Sequence, residues 1–292
     1  MIATVKQTST DRRRAVLSCV CAVALVTGLM PCANAALMSH FKGRYGAIEL
    51  FDSAKKLSFR VNAPELSQTR NFCQFLDLST AIAAVEIGLL PNFEASVVEF
   101  LPLTQGKVVK PLTLKQALRV GTPEVFLALR NKITVAQLAN LNAKSALPTK
   151  DAATSAFALL DWFKALDTNA LALKPTTKEA LRSLLTIKSR ASTKLLAFSS
   201  RCVESSGSVG ASVGMLIRAP AAPIFFAISV DGKSRADLFY VAPSIRDAAL
   251  NEFGYWPFET KVGKTRDVLS RPPDLERQTD VVKPIDVAQP ID

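Results

Sequence analysis

Histidine is almost missing from this chain, which has only His40 among its 292 residues. Zinc hydrolases bind their metal through imidazoles, and serine or cysteine hydrolases with a catalytic histidine use the imidazole as their base. A single histidine therefore argues strongly against these classes. The sequence predicts neither a metal site nor a cofactor.

Apolar runs of membrane length are also lacking. Ala15 to Met30 is sixteen residues long, so as a helix it would span about 24 Å, less than the roughly 30 Å of a bilayer core. Arg218 and two prolines interrupt the apolar stretch Met215 to Val230. No transmembrane segment is therefore expected in the mature chain.

The N-terminus instead has the pattern of an export signal. Three arginines, Arg12 to Arg14, precede the short apolar run, and Ala33-Asn34-Ala35 follows it as a cleavage site. We predict a signal peptide over residues 1–35, a domain over 36–256 and a disordered, Pro-containing tail over 257–292. The protein would then be periplasmic or secreted, by general or twin-arginine export.

Acidic residues are too few to balance the basic ones, since Lys and Arg number 36 and Asp and Glu 25, a net charge of +11. Without the signal peptide the charge is about +8. Because the protein is predicted to be exported, we do not expect nucleic acid as a partner. Anionic lipids or cell-wall carboxylates, and thus envelope components, fit such a surface, although solubility alone explains the charge equally well.

Two of the five cysteines, Cys73 and Cys202, remain after signal cleavage. An even number of cysteines in an oxidising compartment predicts one disulfide. The sequence pattern does not fix an oligomeric state.

Hydrophobic spacing predicts strands at both ends of the domain and helices between them. Ala47–Phe51 and Leu57–Val61 form a predicted hairpin, and Leu195–Phe198, Gly210–Ile217 and Ile224–Val230 are predicted strands. We expect an α+β fold in which N- and C-terminal strands share one antiparallel sheet around an inserted helical region.

Capping signals predict where several helices begin. Asp77 is expected to cap the helix that carries Leu78 and Ile82, and Pro123 to be a first helical residue. Capping boxes are predicted at Thr134 with Gln137, Thr176 with Glu179 and Ser244 with Asp247, the last opening the final helix.

One motif suggests serine hydrolase chemistry without its context. Gly210-Ala211-Ser212-Val213-Gly214 matches G-x-S-x-G, but prolines follow it where a helix should start, and His40 precedes it in the chain. We interpret it as a chance match within a strand region.

Longer segments carry a resemblance in a fixed order: Gly43–Asp52, Thr69–Phe72, Ala81–Asn92, Leu112–Val120, Pro175–Lys188, Ser208–Val230 and Asp247–Tyr255. They resemble class D (oxacillinase-type) β-lactamases, of the penicillin-recognising serine transpeptidase fold family. The resemblance covers about residues 43 to 256 and implies the same order of sheet, helices and sheet.

The catalytic motifs of that family are degenerate in this chain. The serine and lysine of S-x-x-K fall on Gln74 and Asp77. The S-x-V motif falls near Gly121-Thr122-Pro123, and K-T-G near Phe198-Ser199-Ser200. In such enzymes a carbamylated lysine is the base, so the resemblance implies that the covalent route is lost here.

The resemblance also places Cys73 and Cys202 on facing sides of the family's cleft, which implies a disulfide across the former active site. We expect a β-lactamase-like, catalytically inactive protein that binds or scaffolds in the cell envelope. The alternatives are a divergent, active β-lactamase that uses Ser79 as nucleophile in a shifted register, and an unrelated envelope assembly factor.

Overall fold

The computed structural model describes residues 35, 37–101, 111–145, 153–204, 207–232, 235–256 and 258. The predicted signal peptide up to residue 34 and almost all of the predicted tail lie outside these residues. Among those described, no helix is long and apolar enough to cross a bilayer.

The strands are β1 (Gly46–Asp52), β2 (Leu57–Val61), β3 (Arg70–Asn71), β4 (Ala153–Thr154), β5 (Thr186–Arg190), β6 (Thr193–Glu204), β7 (Gly207–Arg218) and β8 (Ala221–Gly232). The helices are α1 (Ala63–Ser67), α2 (Cys73–Glu86), α3 (Leu114–Val120), α4 (Pro123–Lys132), α5 (Val135–Ser145), α6 (Ala156–Asp167), α7 (Pro175–Leu185) and α8 (Arg235–Glu252). Val98–Phe100 forms one turn of 3₁₀-helix.

The main sheet joins the two ends of the domain, as predicted. Its six strands run in the order β2-β1-β8-β7-β6-β5, all pairs antiparallel, and β3 pairs with β4 in a separate small sheet. Ile48 of β1 pairs with Ile228 of β8, so the N-terminal hairpin extends the C-terminal meander. The α+β fold class is confirmed.

The two faces of the sheet have different covers, because successive side chains of a strand alternate. On β7, Ala211, Val213 and Met215 face the apolar core formed with the helical region. Gly210 faces Leu238 of α8, and Ser212 faces Arg246 of the same helix.

Helix α2 lies inside the helical region and is buried on nearly all sides, from Gln74 to Glu86. A helix that is apolar around most of its circumference suits such a position. At its end, Glu86 accepts hydrogen bonds from the backbone N–H of Lys174, and the Lys174 ammonium donates to the Glu86 carbonyl. These contacts hold the helix between the sheet and α7.

Three predicted helix starts are wrong. Helix α2 begins at Cys73, so Asp77 lies in its second turn and does not cap it. Helix α7 begins at Pro175 after Lys174, which leaves no capping box at Thr176. Helix α8 begins at Arg235 and continues through Pro243, because tertiary packing against β6, β7 and β8 outweighs the local cost of an internal proline.

Other local signals are confirmed. Pro123 opens α4. Thr134 and Gln137 exchange backbone-to-side-chain hydrogen bonds as a capping box. Strand β5 was not predicted: four of its five residues are exposed, so it has no alternation to detect.

A buried carboxylate secures the turn between β1 and β2. The Asp52 side chain is fully buried, and its Oδ1 accepts hydrogen bonds from the backbone N–H groups of Ala54 (3.0 Å) and Lys55 (3.2 Å). Burial acts to raise the pKa of Asp52, but these N–H groups, the Tyr255 phenol and the Arg218 charge outweigh it, so the pKa is lowered. Burial and the Asp52 carboxylate raise the pKa of Tyr255 to about 12.

We expect Asp52→Asn to lower the free energy of unfolding by about 1–3 kcal/mol at pH 7, because it removes a charged hydrogen-bond acceptor from a buried site. Urea denaturation measures the change. The lowered pKa means that this stabilisation is present above about pH 4 and is lost as the pH falls through the pKa of the folded state. Wild type and variant should therefore converge in acid.

Asp161→Asn is the matched control, since Asp161 forms an exposed ion pair with Lys164. It should change stability by less than about 0.5 kcal/mol. Equal losses in the two variants, or a difference that persists at pH 2, would contradict the role assigned to Asp52.

Candidate functional site

The first turn of α2 contacts the middle of β6 through two hydrogen bonds and a disulfide. The Gln74 backbone N–H donates to Ser200 Oγ (3.2 Å), and Gln74 Oε1 accepts from the Arg201 backbone N–H (3.1 Å). Cys73 and Cys202 flank these bonds and form a disulfide, with Cα atoms 5.3 Å apart. The predicted disulfide is confirmed, and Cys73, Gln74, Ser200 and Cys202 come together.

This contact exists because β6 is longer than its neighbour on one side. β5 pairs with β6 only up to Leu196, so the edge of β6 from Ala197 onward is left for α2. The Arg201 N–H on that edge would otherwise lack a partner, and a buried, unpaired N–H costs free energy. The Gln74 side chain supplies the acceptor.

The same contact differs from what acyl transfer requires. An acyl-transfer site needs backbone N–H groups aimed at the place where a substrate oxygen becomes charged. Here the N–H groups of Gln74 and Arg201 each donate to an oxygen of the protein itself. The Gln74 side chain is an amide and is no nucleophile, so this position offers neither attack nor charge stabilisation.

Asp77 lies one turn further along α2 and is paired with a cation. Its Oδ1 is 3.2 Å from Arg130 Nη1 of α4, and Arg130 also donates to Thr80 Oγ1. The position where the resemblance expects a lysine therefore carries a carboxylate whose charge is balanced by arginine. A carboxylate cannot form the carbamate that would serve as base.

Ser79, the alternative nucleophile, lies inside the core. It is 1% exposed, and its Oγ has no hydrogen-bond partner. It is not among the residues that line the neighbouring cavity. A ligand in the cleft could not reach this hydroxyl without opening α2, which argues against the divergent enzyme.

The Gly121-Thr122-Pro123 segment forms the turn between α3 and α4. Gly121 ends α3 with a left-handed backbone (φ 77°), a conformation that favours glycine, and Pro123 opens α4. The Arg201 guanidinium donates to the Val120 carbonyl (2.9 Å) and so ties this turn to β6. The segment borders the site but supplies no base.

Phe198 and Ser199 point to opposite faces of β6. The Phe198 ring packs edge-on against Phe75 of α2, with centroids 4.9 Å apart, so an apolar contact occupies the place where the resemblance expects a lysine. Ser199 Oγ donates to Ser212 Oγ (3.2 Å) on β7. Phe198 therefore fastens α2 to β6, and Ser199 belongs to the side facing α8.

The G-x-S-x-G segment lies wholly within β7. A Cβ at Gly214 would collide with the Leu196 carbonyl oxygen, so this glycine permits the close approach of β6. Ser212 is completely buried and accepts hydrogen bonds from Ser199 and from Arg246 Nη1 (3.4 Å). The segment is a packing feature of the sheet.

A cavity of about 430 Å³ adjoins this contact. It is lined by Gln74, Leu118, Arg119, Leu184, Ile187, Ala197, Phe198, Ser199, Ser200, Arg201, Leu238, Tyr240, Pro243, Ser244, Arg246 and Asp247. The lining contains three arginines, one carboxylate and no lysine. Its apolar walls and excess of positive charge suit an amphipathic anion.

Arg246 is the most deeply placed of these cations, at 4% exposure. Its Nε and Nη2 bind Asp247 Oδ1 at 2.7 and 2.6 Å, and Asp247 Oδ2 also lies 3.4 Å from Lys188 Nζ. Burial lowers the pKa of Arg246, although the Asp247 charge acts in the opposite direction. Lys188 offsets the carboxylate, so the cluster keeps a net positive charge.

Sequence reasoning missed Arg119, Tyr240, Arg246 and Asp247. The signal was weak: Arg246 follows Ile245 and precedes Ala249 and Leu250, all buried in α8. An arginine within an apolar stripe hints at a buried cation, but only packing of α8 onto β7 decides it. No three His, Cys, Asp or Glu side chains in the described part of the chain are grouped to hold a metal ion.

Several solved structures with a similar arrangement of elements are class D β-lactamases. FUS-1 (OXA-85) from Fusobacterium nucleatum subsp. polymorphum has a TM-score of 0.66 at 15% identity, covering 76% of this chain and 98% of that one. YbXI from Nostoc has 0.65 at 17%, covering 75% and 98%. BAT-2 has 0.63 at 14%, covering 75% and 95%.

These likenesses show that the chain has a class D β-lactamase-like fold. No protein-family model matches the sequence. No curated protein matches it either.

Replacing both Cys73 and Cys202 by alanine should lower the free energy of unfolding by about 4–5 kcal/mol, because the bridge closes a long loop in the unfolded chain. The residues are 129 positions apart. Urea denaturation of oxidised wild type and the double variant measures the loss. Wild type after reduction should match the variant.

Alkylation before reduction, followed by peptide mapping, is the independent check. Cys73 and Cys202 should both stay unmodified in the oxidised protein. Two alkylated cysteines, or equal stability of wild type and variant, would contradict the bridge.

Proposed function

We propose that this class D β-lactamase-like protein is an exported, catalytically inactive binding protein of the cell envelope. It takes an anionic ligand without forming a covalent bond. The observation that carries the proposal is the bonded contact between Gln74 and β6. It has an amide where the resemblance expects a nucleophile, and both N–H groups of the contact donate to oxygens of the protein.

The cavity supports binding as the retained activity. Arg119, Arg201 and Arg246 line it together with apolar side chains such as Phe198 and Ile187. Guanidinium groups bind carboxylates and phosphates through paired hydrogen bonds. An envelope component with an anionic group and an apolar body matches this lining in charge and polarity.

Export is supported by the sequence and by the disulfide. Arg12 to Arg14, the apolar run and the Ala33-Asn34-Ala35 site have the order of a signal peptide. A disulfide such as Cys73–Cys202 persists in oxidising compartments. A charge of about +8 after cleavage favours envelope anions over neutral partners.

A fluorescent penicillin tests the absence of covalent chemistry. The purified protein should show no labelled band after denaturing electrophoresis, whereas an active class D β-lactamase run in parallel should label. Labelling that disappears in Ser79→Ala would establish the divergent enzyme instead. Labelling that disappears in Ser199→Ala or Ser200→Ala would show that a hydroxyl of β6 reacts.

Non-covalent binding can be measured with the fluorescent anion 1-anilinonaphthalene-8-sulfonate. Arg246→Gln should weaken its affinity about tenfold, because a charge-assisted hydrogen bond contributes about 1.5–3 kcal/mol. N-phenyl-1-naphthylamine, which lacks the sulfonate, should bind weakly and respond little to the substitution.

Lys56→Gln is the control, since it removes one positive charge from the exposed β1–β2 turn, away from the cavity lining. Its affinity for the anion should equal that of wild type. Arg119→Gln, on the exposed rim, serves if Arg246→Gln fails to fold. Equal binding of the anion and its neutral analogue would contradict an anion site.

A further inference from the structure

The two cysteines of the Cys73–Cys202 disulfide differ in their exposure to solvent. Cys73 is an exposed residue at the start of α2, whereas Cys202 on β6 is only 4% exposed. A thiol reagent can therefore approach the bridge from one side only. Thiol–disulfide exchange depends on which sulfur can be attacked and on the stability of the thiolate that leaves.

The surroundings of Cys73 favour its thiolate. It is the first residue of a 14-residue helix whose N-cap, Phe72, makes no side-chain cap bond and whose first turn contains no acidic residue. A helix N-terminus stabilises a thiolate by its partial positive charge, which favours Cys73 as the group released from a mixed disulfide. Asp77, the carboxylate one turn further along, is offset by Arg130.

Positive charge also comes from β6 across the bridge. Arg201 immediately precedes Cys202, and its guanidinium bonds to the Val120 carbonyl beside the cleft. Arg119 is exposed on the neighbouring α3. Arg201 and Arg119 thus add positive charge to the elements around the bridge, and positive charge attracts an incoming thiolate.

We propose that Cys73–Cys202 is a thiol–disulfide exchange site, with Cys73 as the sulfur that external thiols attack. The thiolate of a protein dithiol attacks Cys73 Sγ, the S–S bond breaks, and its electron pair leaves on Cys202 Sγ, which takes a proton from solvent. The second thiol of the partner, after losing its proton, attacks the mixed disulfide and releases Cys73 as a thiolate. The partner is oxidised to a disulfide and this protein is reduced.

This site is separate from the proposed ligand cavity, because neither cysteine is among the cavity-lining residues. Reduction removes the covalent link between α2 and β6, while the hydrogen bonds of Gln74 and the Phe75–Phe198 contact remain. The reduced protein should therefore stay folded, with a reactive Cys73 at the start of α2.

Reduction kinetics under native conditions test the proposal. Oxidised full-length protein is treated with dithiothreitol or with reduced thioredoxin, samples are quenched with acid and alkylated, and the Cys73 and Cys202 peptides are quantified by mass spectrometry. Direct attack predicts that the rate is the same in wild type and in Asp52→Asn and does not rise in low urea. A rate that rises with destabilisation would show that the bridge is reached only through unfolding, and would overturn the proposal.

Single-cysteine variants identify the attacked sulfur. Cys73 in Cys202→Ser should react with iodoacetamide at least tenfold faster than Cys202 does in Cys73→Ser. Circular dichroism checks that both variants are folded. If one fails to fold, trapping of the mixed disulfide with a single-cysteine thioredoxin in wild type replaces it, and the cross-link should map to Cys73. Equal alkylation rates, or a cross-link at Cys202, would overturn the assignment.

Discussion

The site depends on one contact, in which the first turn of α2 is fastened to the open edge of β6. Two hydrogen bonds join Gln74 to Ser200 and Arg201, and the Cys73–Cys202 disulfide lies beside them. β6 can accept α2 because β5 stops pairing at Leu196. Gln74, Ser200 and Arg201 also line the cavity, so this contact forms part of its wall.

The residues of this contact and its surroundings contribute to the stability of the fold. A nucleophile must be exposed, activated and surrounded by unpaired donors, and each of these conditions costs folding free energy. Gln74 satisfies a strand N–H and has its own N–H satisfied, Phe198 packs against Phe75, and Asp77 is paired with Arg130. These three residues thus each have a partner within the protein.

The cavity and the exposed Cys73 are the features that carry the proposed functions. Arg246 is bound by Asp247 and Lys188 offsets that carboxylate, so the cluster carries a net positive charge. Ser212, at the centre of a motif that imitates a hydrolase, accepts hydrogen bonds from Ser199 and Arg246. Ser212, which the sequence motif suggested as catalytic, serves packing. The arginines that suit a ligand belong to no recognisable sequence motif.

The sequence was sufficient for features that rest on local or alternating patterns. The β1–β2 hairpin, the Thr134–Gln137 capping box and the helices between two sets of strands follow from spacing and polarity within a few residues. The pairing of Cys73 with Cys202 followed because only these two of the five cysteines lie outside the predicted signal peptide. Strand β5 did not follow, since its exposed side chains lack alternation.

By itself, the amino-acid sequence determined the fold class and the presence of a disulfide, because each depends on residue identity or on near neighbours. Tertiary structure alone decided where α2 and α8 begin, that Ser79 is inaccessible, and that Arg119, Arg201 and Arg246 share a cavity. These features depend on contacts between residues far apart in the chain, whose energies exceed the local preferences that a sequence pattern expresses.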